Sequence, residues 1–251
     1  MVWLVFLVLI PVLAIAGYPR MKIPREPQRE GPQAVSGYDR VSRGLILSTG
    51  RYLTLRFLKR LHPQGTLIDV GAGPGYLANS ISHKFPYLRV ISLDINEAML
   101  RQAAKNFPHL RFELCRGDAQ ALPFSDGTVD FIVSTAAFHH WEDPAQVLNE
   151  FHRVLKPGGQ FLILDMRRDA RRFYYWLIKL MQRFMPQDIK RSNGAVGSFW
   201  ASYTVAEMDK LLLKSTFSVW KTRPQSGWMF VWGQKEQTAP WLPTSCSDRL
   251  T

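Results

Sequence analysis

Three glycines at alternate positions follow a short apolar run that contains one carboxylate. Residues 67–78 read L-I-D-V-G-A-G-P-G-Y-L-A, so Asp69 precedes Gly71, Gly73 and Gly75. A glycine turn after a strand lets backbone N–H groups approach a nucleotide-like ligand closely, because no Cβ stands in the way. A tight strand-to-helix turn without any ligand uses the same residues. The turn indicates a nucleotide-type site but does not name its ligand.

The spacing of the glycines separates two kinds of ligand. The dinucleotide fingerprint G-x-G-x-x-G, counted from Gly71, needs its third glycine at position 76, where the chain has Tyr76. Asp94 closes the next apolar run and can accept hydrogen bonds from ribose hydroxyls. NAD-dependent enzymes share such an acidic residue, so an NAD-binding oxidoreductase stays an alternative on these residues alone.

Alternating strands and helices are needed to bring these residues together. Apolar runs between turn signals predict strands at 66–70, 88–93, 110–115, 129–134 and 160–165, with helices between them. Helical spacing of apolar residues between Gly37 and Leu61 predicts one or two further helices ahead of the sheet. This alternation predicts an α/β fold with a parallel sheet covered on both faces. Its ligand site lies at the carboxyl ends of the strands.

Capping signals predict where several helices begin and end. Asn96 is a predicted N-cap, and Asp143 followed by Pro144 is an N-cap with proline at the first helical position. Thr204-Val205-Ala206-Glu207 has the pattern of a capping box at the start of a helix that runs to Lys214. Lys156-Pro157-Gly158-Gly159 predicts a break before the fifth strand.

The order of these motifs resembles the class I S-adenosylmethionine-dependent methyltransferases from Gly37 to Gly233. The residues that carry the resemblance are, in chain order, Asp69–Gly75, Ile91–Asp94, Gly117–Ala119, Asp130–Ser134 and Leu155–Gly159. The resemblance implies a Rossmann-like, doubly wound sheet of seven strands whose last strand is antiparallel. The final apolar runs, 217–222 and 228–233, agree with it because closely spaced runs predict an antiparallel hairpin.

The resemblance also implies the cofactor S-adenosyl-L-methionine and the residues that bind it. In the family, the glycine loop lies beneath the methionine part and the carboxylate at Asp69 lies near the ammonium group. Asp94 would meet the ribose, and Asp118 the adenine amino group. The implied cofactor-binding residues are Asp69, Gly71, Gly73, Gly75, Asp94, Ile95, Asp118, Ala119, Ser134 and Tyr38. On chemistry alone, Asp118 fits a surface residue equally well, and Tyr38 fits core packing.

Three side chains are candidates for catalysis. His139 and His140 follow the fourth strand and Asp165 ends the fifth, so a parallel sheet brings them to the cofactor edge. A histidine with a pKa near ~6.5 can take a proton from a phenol or hydroxyl. Packing or helix capping is the alternative role of each residue. No diagnostic carboxylate cluster is found, so no metal is predicted.

The segment after the fourth strand argues against several acceptors. Family members that methylate base amines carry N/D-P-P-Y/F there, and this chain reads Ser134-Thr135-Ala136-Ala137-Phe138. The paired-glutamate loop of protein arginine methyltransferases is also absent from the sequence. The general layout resembles the ubiquinone/menaquinone methyltransferase branch, but Phe138-His139-His140-Trp141 replaces its F-G-x-R-N-like stretch. The predicted acceptor is an apolar or membrane-resident small molecule, lipid or quinone-like.

The N-terminus predicts a membrane anchor. Residues 2–16 contain no polar side chain and as a helix would extend about 22 Å, against a hydrocarbon core of about 30 Å. A signal peptide is the alternative, since Ala14-Ile15-Ala16 resembles a cleavage site. Basic residues follow the run and none precede it, which favours an uncleaved anchor. The prediction is an anchor at 1–18, a linker at 19–36, the methyltransferase domain at 37–235 and an irregular tail at 236–251. The protein would cross the membrane once, with its catalytic domain in the cytoplasm.

A strong positive charge suggests an anionic partner. The net charge is +12, and residues 167–191 supply half of it, with eight Arg or Lys against Asp169 and Asp188. This segment is also aromatic-rich, which is typical of a basic helix on a membrane surface. An RNA methyltransferase is the alternative, disfavoured by the predicted anchor. A non-catalytic scaffold is another, and the oligomeric state stays open. The two cysteines, Cys115 and Cys246, indicate no disulfide framework.

Overall fold

A seven-stranded mixed sheet forms the centre of the molecule. The computed structural model describes residues 20, 24–26, 35–185, 187–191 and 194–237. The strands are β1 (Thr66–Val70), β2 (Arg89–Asp94), β3 (Glu113–Arg116), β4 (Val129–Thr135), β5 (Leu155–Met166), β6 (Val219–Gln225) and β7 (Trp228–Gln234). Their order is β3-β2-β1-β4-β5-β7-β6, and β7 runs antiparallel to both of its neighbours. The predicted doubly wound α/β sheet with an antiparallel last strand is confirmed.

Helices cover both faces of this sheet. They are α1 (Val35–Ser42), α2 (Leu45–Leu61), α3 (Tyr76–Lys84), α4 (Glu97–Asn106), α5 (Pro144–Val154), α6 (Arg172–Gln182), α7 (Gln187–Arg191), α8 (Gly194–Ala201) and α9 (Val205–Lys214), with a 3₁₀ turn, η1, at Phe138–His140. One apolar cluster joins the sheet to α5 and α9, and a second joins its other face to α2 and α3. Alternate residues of β1 and β4 enter different clusters, as the period of a strand requires.

The predicted capping signals are confirmed. The side chain of Asn96 accepts the N–H of Ala98, and that of Asp143 accepts the N–H of Gln146. At the start of α9, Thr204 and Glu207 satisfy each other's backbone N–H groups. Each bond pairs a donor that the first helical turn otherwise leaves free, which is why the helices begin at these residues.

Helix α5 ends at Val154, before Lys156–Gly159, as predicted, but this segment already belongs to β5, which begins at Leu155 and not at Gln160. Val129 pairs with Leu155, and the next pairing joins Phe131 to Gln160, so extra residues of β5 bulge out between the two. Gly158 adopts a positive φ of 78° within the bulge, a conformation open to glycine. The third strand was predicted at 110–115, but the observed strand is shorter and shifted, at Glu113–Arg116.

The basic segment 167–191 is not one helix. Residues Arg167 and Arg168 continue from β5, and their N–H groups bond the carbonyls of Gly227 and Tyr203. Only then does α6 begin, and α7 follows as a separate short helix.

The predicted membrane-spanning localisation needs correction. In the part of the chain that the structure describes, no helix is both long and apolar enough to cross a bilayer. The 17-residue α2 would extend about 26 Å but carries Arg51, Arg56, Lys59 and Arg60. On this finding the prediction of a single-pass membrane protein with a cytoplasmic domain is wrong. Residues 1–18, on which the anchor was predicted, lie outside the described residues, as do most of the predicted linker and tail.

Candidate active site

The glycine loop joins the end of β1 to α3 through three residues in the left-handed region. The φ angles of Gly71, Gly73 and Gly75 are 73°, 54° and 79°. A Cβ on Gly71 would lie 2.6 Å from the Cβ of Ala137, so the loop also packs tightly against the segment after β4. The N–H of Gly71 bonds the carbonyl of Leu93 at 2.9 Å, which ties the loop to the end of β2. Position 71 therefore requires glycine for two reasons: its φ is positive, and a Cβ there would collide with Ala137.

The third glycine has a packing role. A Cβ on Gly75 would lie 2.9 Å from the Cβ of Ala103 on α4 and 3.2 Å from the ring of Phe112. Tyr76 follows as the first residue of α3, and its hydroxyl donates to Asp39 on α1 at 3.0 Å. Tyr76, the residue that departs from the dinucleotide fingerprint, thus helps to hold α1 over the loop.

Two carboxylates border the loop. Asp69 is buried, and its Oδ2 has no hydrogen-bond partner in the described structure. Burial and the charge of Asp94 raise the pKa of Asp69 to about 8. The carboxylate of Asp94 accepts the N–H of Gly73 and that of Asn96, each at 2.8 Å, and burial raises its pKa above the ordinary value. An unpartnered buried carboxylate oxygen fits a cationic group, as the ammonium of an amino acid ligand would supply.

Tyr38 covers this site from α1. A Cβ on Gly73 would lie 3.2 Å from its ring. Burial and the charges of Asp94, Asp165 and Asp69 raise the pKa of Tyr38 to about 12. Its phenol is therefore neutral at neutral pH. A cleft of about 420 Å³ runs between α1, the glycine loop and the end of β4.

The other predicted cofactor-binding residues occupy different environments. Ile95 is exposed directly after Asp94, and Asp118 is half-buried, with its carboxylate accepting the N–H of Gln120 at 2.9 Å. Ala119 belongs to the apolar cluster on the α5 side. Ser134 is buried, and its Oγ has no partner among the described residues. These positions follow the carboxyl edge of the sheet, as the resemblance implies, but contact with a cofactor stays a prediction for each of them.

His139, just after β4, and Asp165, near the end of β5, form a buried pair. The His139 Nδ1 lies 2.8 Å from Asp165 Oδ1, and the His139 N–H donates to Asp165 Oδ2 at 3.0 Å. Both side chains are 2% exposed, and His139 Nε2 has no partner in the described part of the chain. Ala136 adopts an unusual positive φ of 55° ahead of η1, a strained turn that aims His139 at Asp165. A carboxylate on Nδ1 favours the tautomer that leaves the lone pair on Nε2.

His140 has a different environment from its neighbour. Its ring lies 4.0 Å from that of His139, centroid to centroid. Burial and the charge of His139 lower the pKa of His140 well below its ordinary value. The imidazole of His140 is therefore neutral, and it packs against the His139 ring of the His139–Asp165 pair.

Sequence reasoning missed Arg25 and Asp39. Arg25 donates from Nε to the carbonyl of Ala201 at 2.7 Å and lies 4.2 Å above the ring of Tyr203, next to η1. It came from a segment predicted to be a linker, and nothing in its local sequence signals the contact. Asp39 is buried on α1, and the available sequence signal was its position directly after Tyr38, a predicted cofactor-binding residue.

Two residues of the matching motifs lie away from the site. Asp130 accepts the N–H of Thr66 at 2.9 Å and pairs with Lys156 at 2.8 Å, at the amino ends of the strands. They hold β1, β4 and β5 together. Among the described residues, no group of three or more His, Cys, Asp or Glu could hold a metal ion.

Comparison with known proteins agrees with this geometry. A family model described as a methyltransferase domain matches residues 68–163. A malonyl-[acyl-carrier protein] O-methyltransferase of Coxiella burnetii is 37% identical over 111 residues, covering 44% of this chain and 36% of the relative. A demethylmenaquinone methyltransferase of Chlorobaculum parvum is 37% identical over 99 residues, covering 39% of this chain and 40% of the relative. The chain thus matches well under half the length of these relatives.

Solved structures share the fold. An S-adenosylmethionine-dependent methyltransferase fold from Methanococcus maripaludis superposes with a TM-score of 0.63 at 22% identity, covering 87% of this chain and all of that one. One from Aquifex aeolicus gives 0.60 at 21% identity, with 82% and 99% covered. Residues 68–163 thus match a methyltransferase domain, and the chain shares the fold of S-adenosylmethionine-dependent methyltransferases. The methyltransferase-domain match and the curated relatives agree with the predicted enzyme class and with the predicted cofactor, S-adenosyl-L-methionine.

Proposed function

We propose that this chain methylates an apolar small molecule, lipid or quinone-like, after His139 removes a proton from the acceptor. S-Adenosylmethionine supplies a methyl group activated by the positive charge on its sulfur. The observation that carries the proposal is the buried His139–Asp165 pair with a free Nε2. A buried base with no structural partner on its outer nitrogen is what proton abstraction requires.

Asp165 orients His139, the proposed base, and stabilises its protonated form. By accepting from Nδ1, it holds the imidazole ring and stabilises the cation that forms when Nε2 takes a proton. A second bond, from the His139 backbone N–H, fixes the same carboxylate from another direction. The proton moves from the acceptor to Nε2, while Asp165 keeps its hydrogen bond to Nδ1.

The surroundings of the pair favour an apolar acceptor. The ring of Phe138 lies 5.6 Å from that of Tyr203, and Arg25 lies over Tyr203 on the outer side. Together with neutral His140, these rings exclude water from the pair, and a dry wall strengthens the electrostatic contacts within it. The acceptor group is a phenol, an enol or an acidic C–H group, each of which keeps its proton at neutral pH.

The two named relatives suggest different acceptors, and the pair distinguishes them. A carboxylic acid is already ionised at neutral pH, so its methylation gives a buried base no task. A hydroquinone-type hydroxyl keeps its proton and needs one. The His139–Asp165 pair therefore favours the acceptor class named in the demethylmenaquinone methyltransferase relative over that of the malonyl-[acyl-carrier protein] relative.

Label transfer tests the proposal. Purified full-length protein is incubated with methyl-labelled S-adenosylmethionine and, separately, with a lipid extract, a soluble metabolite pool and total RNA. We expect label in the lipid extract, and His139→Gln should lose about 10²–10⁴-fold of this turnover while still binding S-adenosylhomocysteine in calorimetry. His109→Gln, on an exposed turn, is the matched control and should retain full turnover. Label only in the soluble pool or in RNA, or full turnover by His139→Gln, would refute the proposal.

A further inference from the structure

Helix α6 carries a row of large apolar side chains on its outer surface. None of its residues is buried. Trp176 and Leu180 are each 58% exposed, and Leu177 also points outward. Phe184, 80% exposed, follows in a turn that continues the helix, since its N–H bonds the carbonyl of Met181. Residues four apart share one face of a helix, so Trp176, Leu177, Leu180 and Phe184 form one contiguous surface, termed the α6 ridge.

A row of positive charge borders the α6 ridge. Arg172, Lys179 and Arg183 are exposed, and Lys179 lies 5.1 Å above the ring of Trp176. Residues 170–187 contain four basic and no acidic residues. The nearest preceding acid, Asp169, is already paired with Arg167 at 2.7 Å. The outer face of α6 thus combines an apolar surface with an excess of positive charge.

The opposite side of α6 attaches it to the catalytic end of the domain. Tyr175 contacts the ring of Phe199 on α8 at 5.7 Å, and α8 packs on η1, which carries His139. Helix α6 also begins shortly after β5 ends at Met166. The α6 ridge therefore lies at the carboxyl end of the sheet, on the same end as the cofactor cleft.

We infer that the α6 ridge is an interfacial contact that docks the domain onto an anionic lipid surface. Exposed Trp, Leu and Phe enter the boundary between headgroups and acyl chains, while Lys and Arg beside them meet lipid phosphates. Charge decides against a second copy of the chain, because a two-fold contact places the same positive edge against itself. RNA would satisfy the charges and leave the apolar side chains in water. Docking is independent of the acceptor chemistry, although it would bring an apolar acceptor to the site.

A label on the ridge tests the contact directly in the full chain. Leu180→Cys in a Cys115→Ser/Cys246→Ser background carries an environment-sensitive fluorophore. The control carries it through Leu213→Cys on α9, which is 70% exposed. We expect a blue shift and quenching by brominated acyl chains for the ridge label only. It should occur with vesicles of phosphatidylcholine and phosphatidylglycerol, and not with phosphatidylcholine alone. No response to anionic vesicles, or an equal response at both labels, would overturn the inference.

Vesicle sedimentation gives the second measurement. Trp176→Ser/Phe184→Ser should weaken binding to the anionic vesicles at least about a hundredfold, since each of the two buried apolar side chains contributes about a tenfold or greater factor. Lys179→Gln/Arg183→Gln should weaken it about fivefold per charge and reduce its salt dependence. Leu213→Ser should bind like the parent, and all variants should unfold at the parental temperature. Unchanged vesicle binding by the ridge variant, or loss of a parental dimer in place of vesicle binding, would refute the lipid contact.

Discussion

Replacing Tyr76 by phenylalanine removes one hydroxyl and should weaken cofactor binding. Asp39 on α1 is buried and accepts from Tyr76 Oη at 3.0 Å, from Asn106 Nδ2 at 2.7 Å and from Arg43. Burial alone would raise the pKa of Asp39, but the bonds from Asn106, Arg43 and Tyr76 hold it below the ordinary value. The carboxylate is thus ionised, and its bonds are charge-assisted.

These bonds hold α1 over the glycine loop. The fully buried residues of α1 are Gly37, Asp39 and Ser42, none of which has a large apolar side chain, and the half-buried ring of Tyr38 also contacts the loop. A hydrogen bond to a charged group contributes about 1.5–3 kcal/mol, and Tyr76 is only half-buried, so the lower end applies. A loss of about 1.4 kcal/mol is tenfold in an equilibrium constant. If the cofactor binds only when α1 lies closed over the loop, its apparent affinity is proportional to the fraction of molecules in which α1 is closed.

Calorimetry with S-adenosylhomocysteine measures this effect without knowledge of the acceptor. We expect the Kd of Tyr76→Phe to rise about tenfold, as a charge-assisted bond of about 1.5 kcal/mol predicts. In turnover, the KM for S-adenosylmethionine should rise while kcat at saturation changes little. Tyr52→Phe, an exposed tyrosine of α2, is the matched control and should bind like the parent. An unchanged Kd with a lowered unfolding temperature would show that the Asp39 bonds only stabilise the fold, and the reasoning would be refuted.

Three further predictions concern the loop, the buried acid and the base. Gly127→Ala, with a φ of 63° and no neighbour within 4 Å of the new Cβ, should cost about 1–2 kcal/mol of unfolding free energy in denaturant titrations. Gly71→Ala should cost more and abolish cofactor binding, since it adds a 2.6 Å clash. Equal losses of unfolding free energy in Gly127→Ala and Gly71→Ala would contradict this reasoning. The folded pKa of Asp69, about 8, lies above its unfolded value of 3.8, so its stability contribution should decline as pH rises from about 4 to 8. Asp69→Asn should remove that decline in the ligand-free protein, and an unaltered pH profile would disprove the assignment. Asp165→Asn should lower kcat about 10²–10⁴-fold by favouring the wrong His139 tautomer, with the Kd for S-adenosylhomocysteine unchanged. A kcat within twofold of the parent would exclude that role.

Local sequence signals predicted the elements but not all of their contacts. The caps at Asn96, Asp143 and Thr204 involve residues two or three apart, so their geometry follows from the local sequence. Asp165 was placed at the end of a strand, and the parallel sheet then brought it to His139. Periodicity and strand direction supply enough information for that pairing.

Contacts between distant segments were not accessible in this way. Arg25 reaches the carbonyl of Ala201, 176 residues away, and its local sequence has no apolar period. In the sequence, Tyr76 stands out only because the dinucleotide fingerprint has glycine at its position. Its bond to Asp39 depends on how α1 folds back over α3. The bulge of β5 depends on the pairing with β4, which no single strand encodes. Each case is decided by tertiary packing that overrides local preference.

The positions of unpartnered polar atoms argue for the site independently of any family. Six buried side-chain atoms in the described residues have no hydrogen-bond partner, on Asp69, Ser92, Ser134, His139, His140 and Trp200. Each such atom costs about 1–3 kcal/mol unless something bonds it. Ser92 pairs in register with Asp69, Ser134 is the penultimate residue of β4, and Trp200 lies on α8, which contacts η1. All six therefore cluster around β1 and β4, where the strand order reverses from β3-β2-β1 to β4-β5. In open α/β sheets this is where ligands bind. The fold tolerates these costs in one place because the two apolar clusters stabilise the remainder of the sheet, and bound ligands offset part of them.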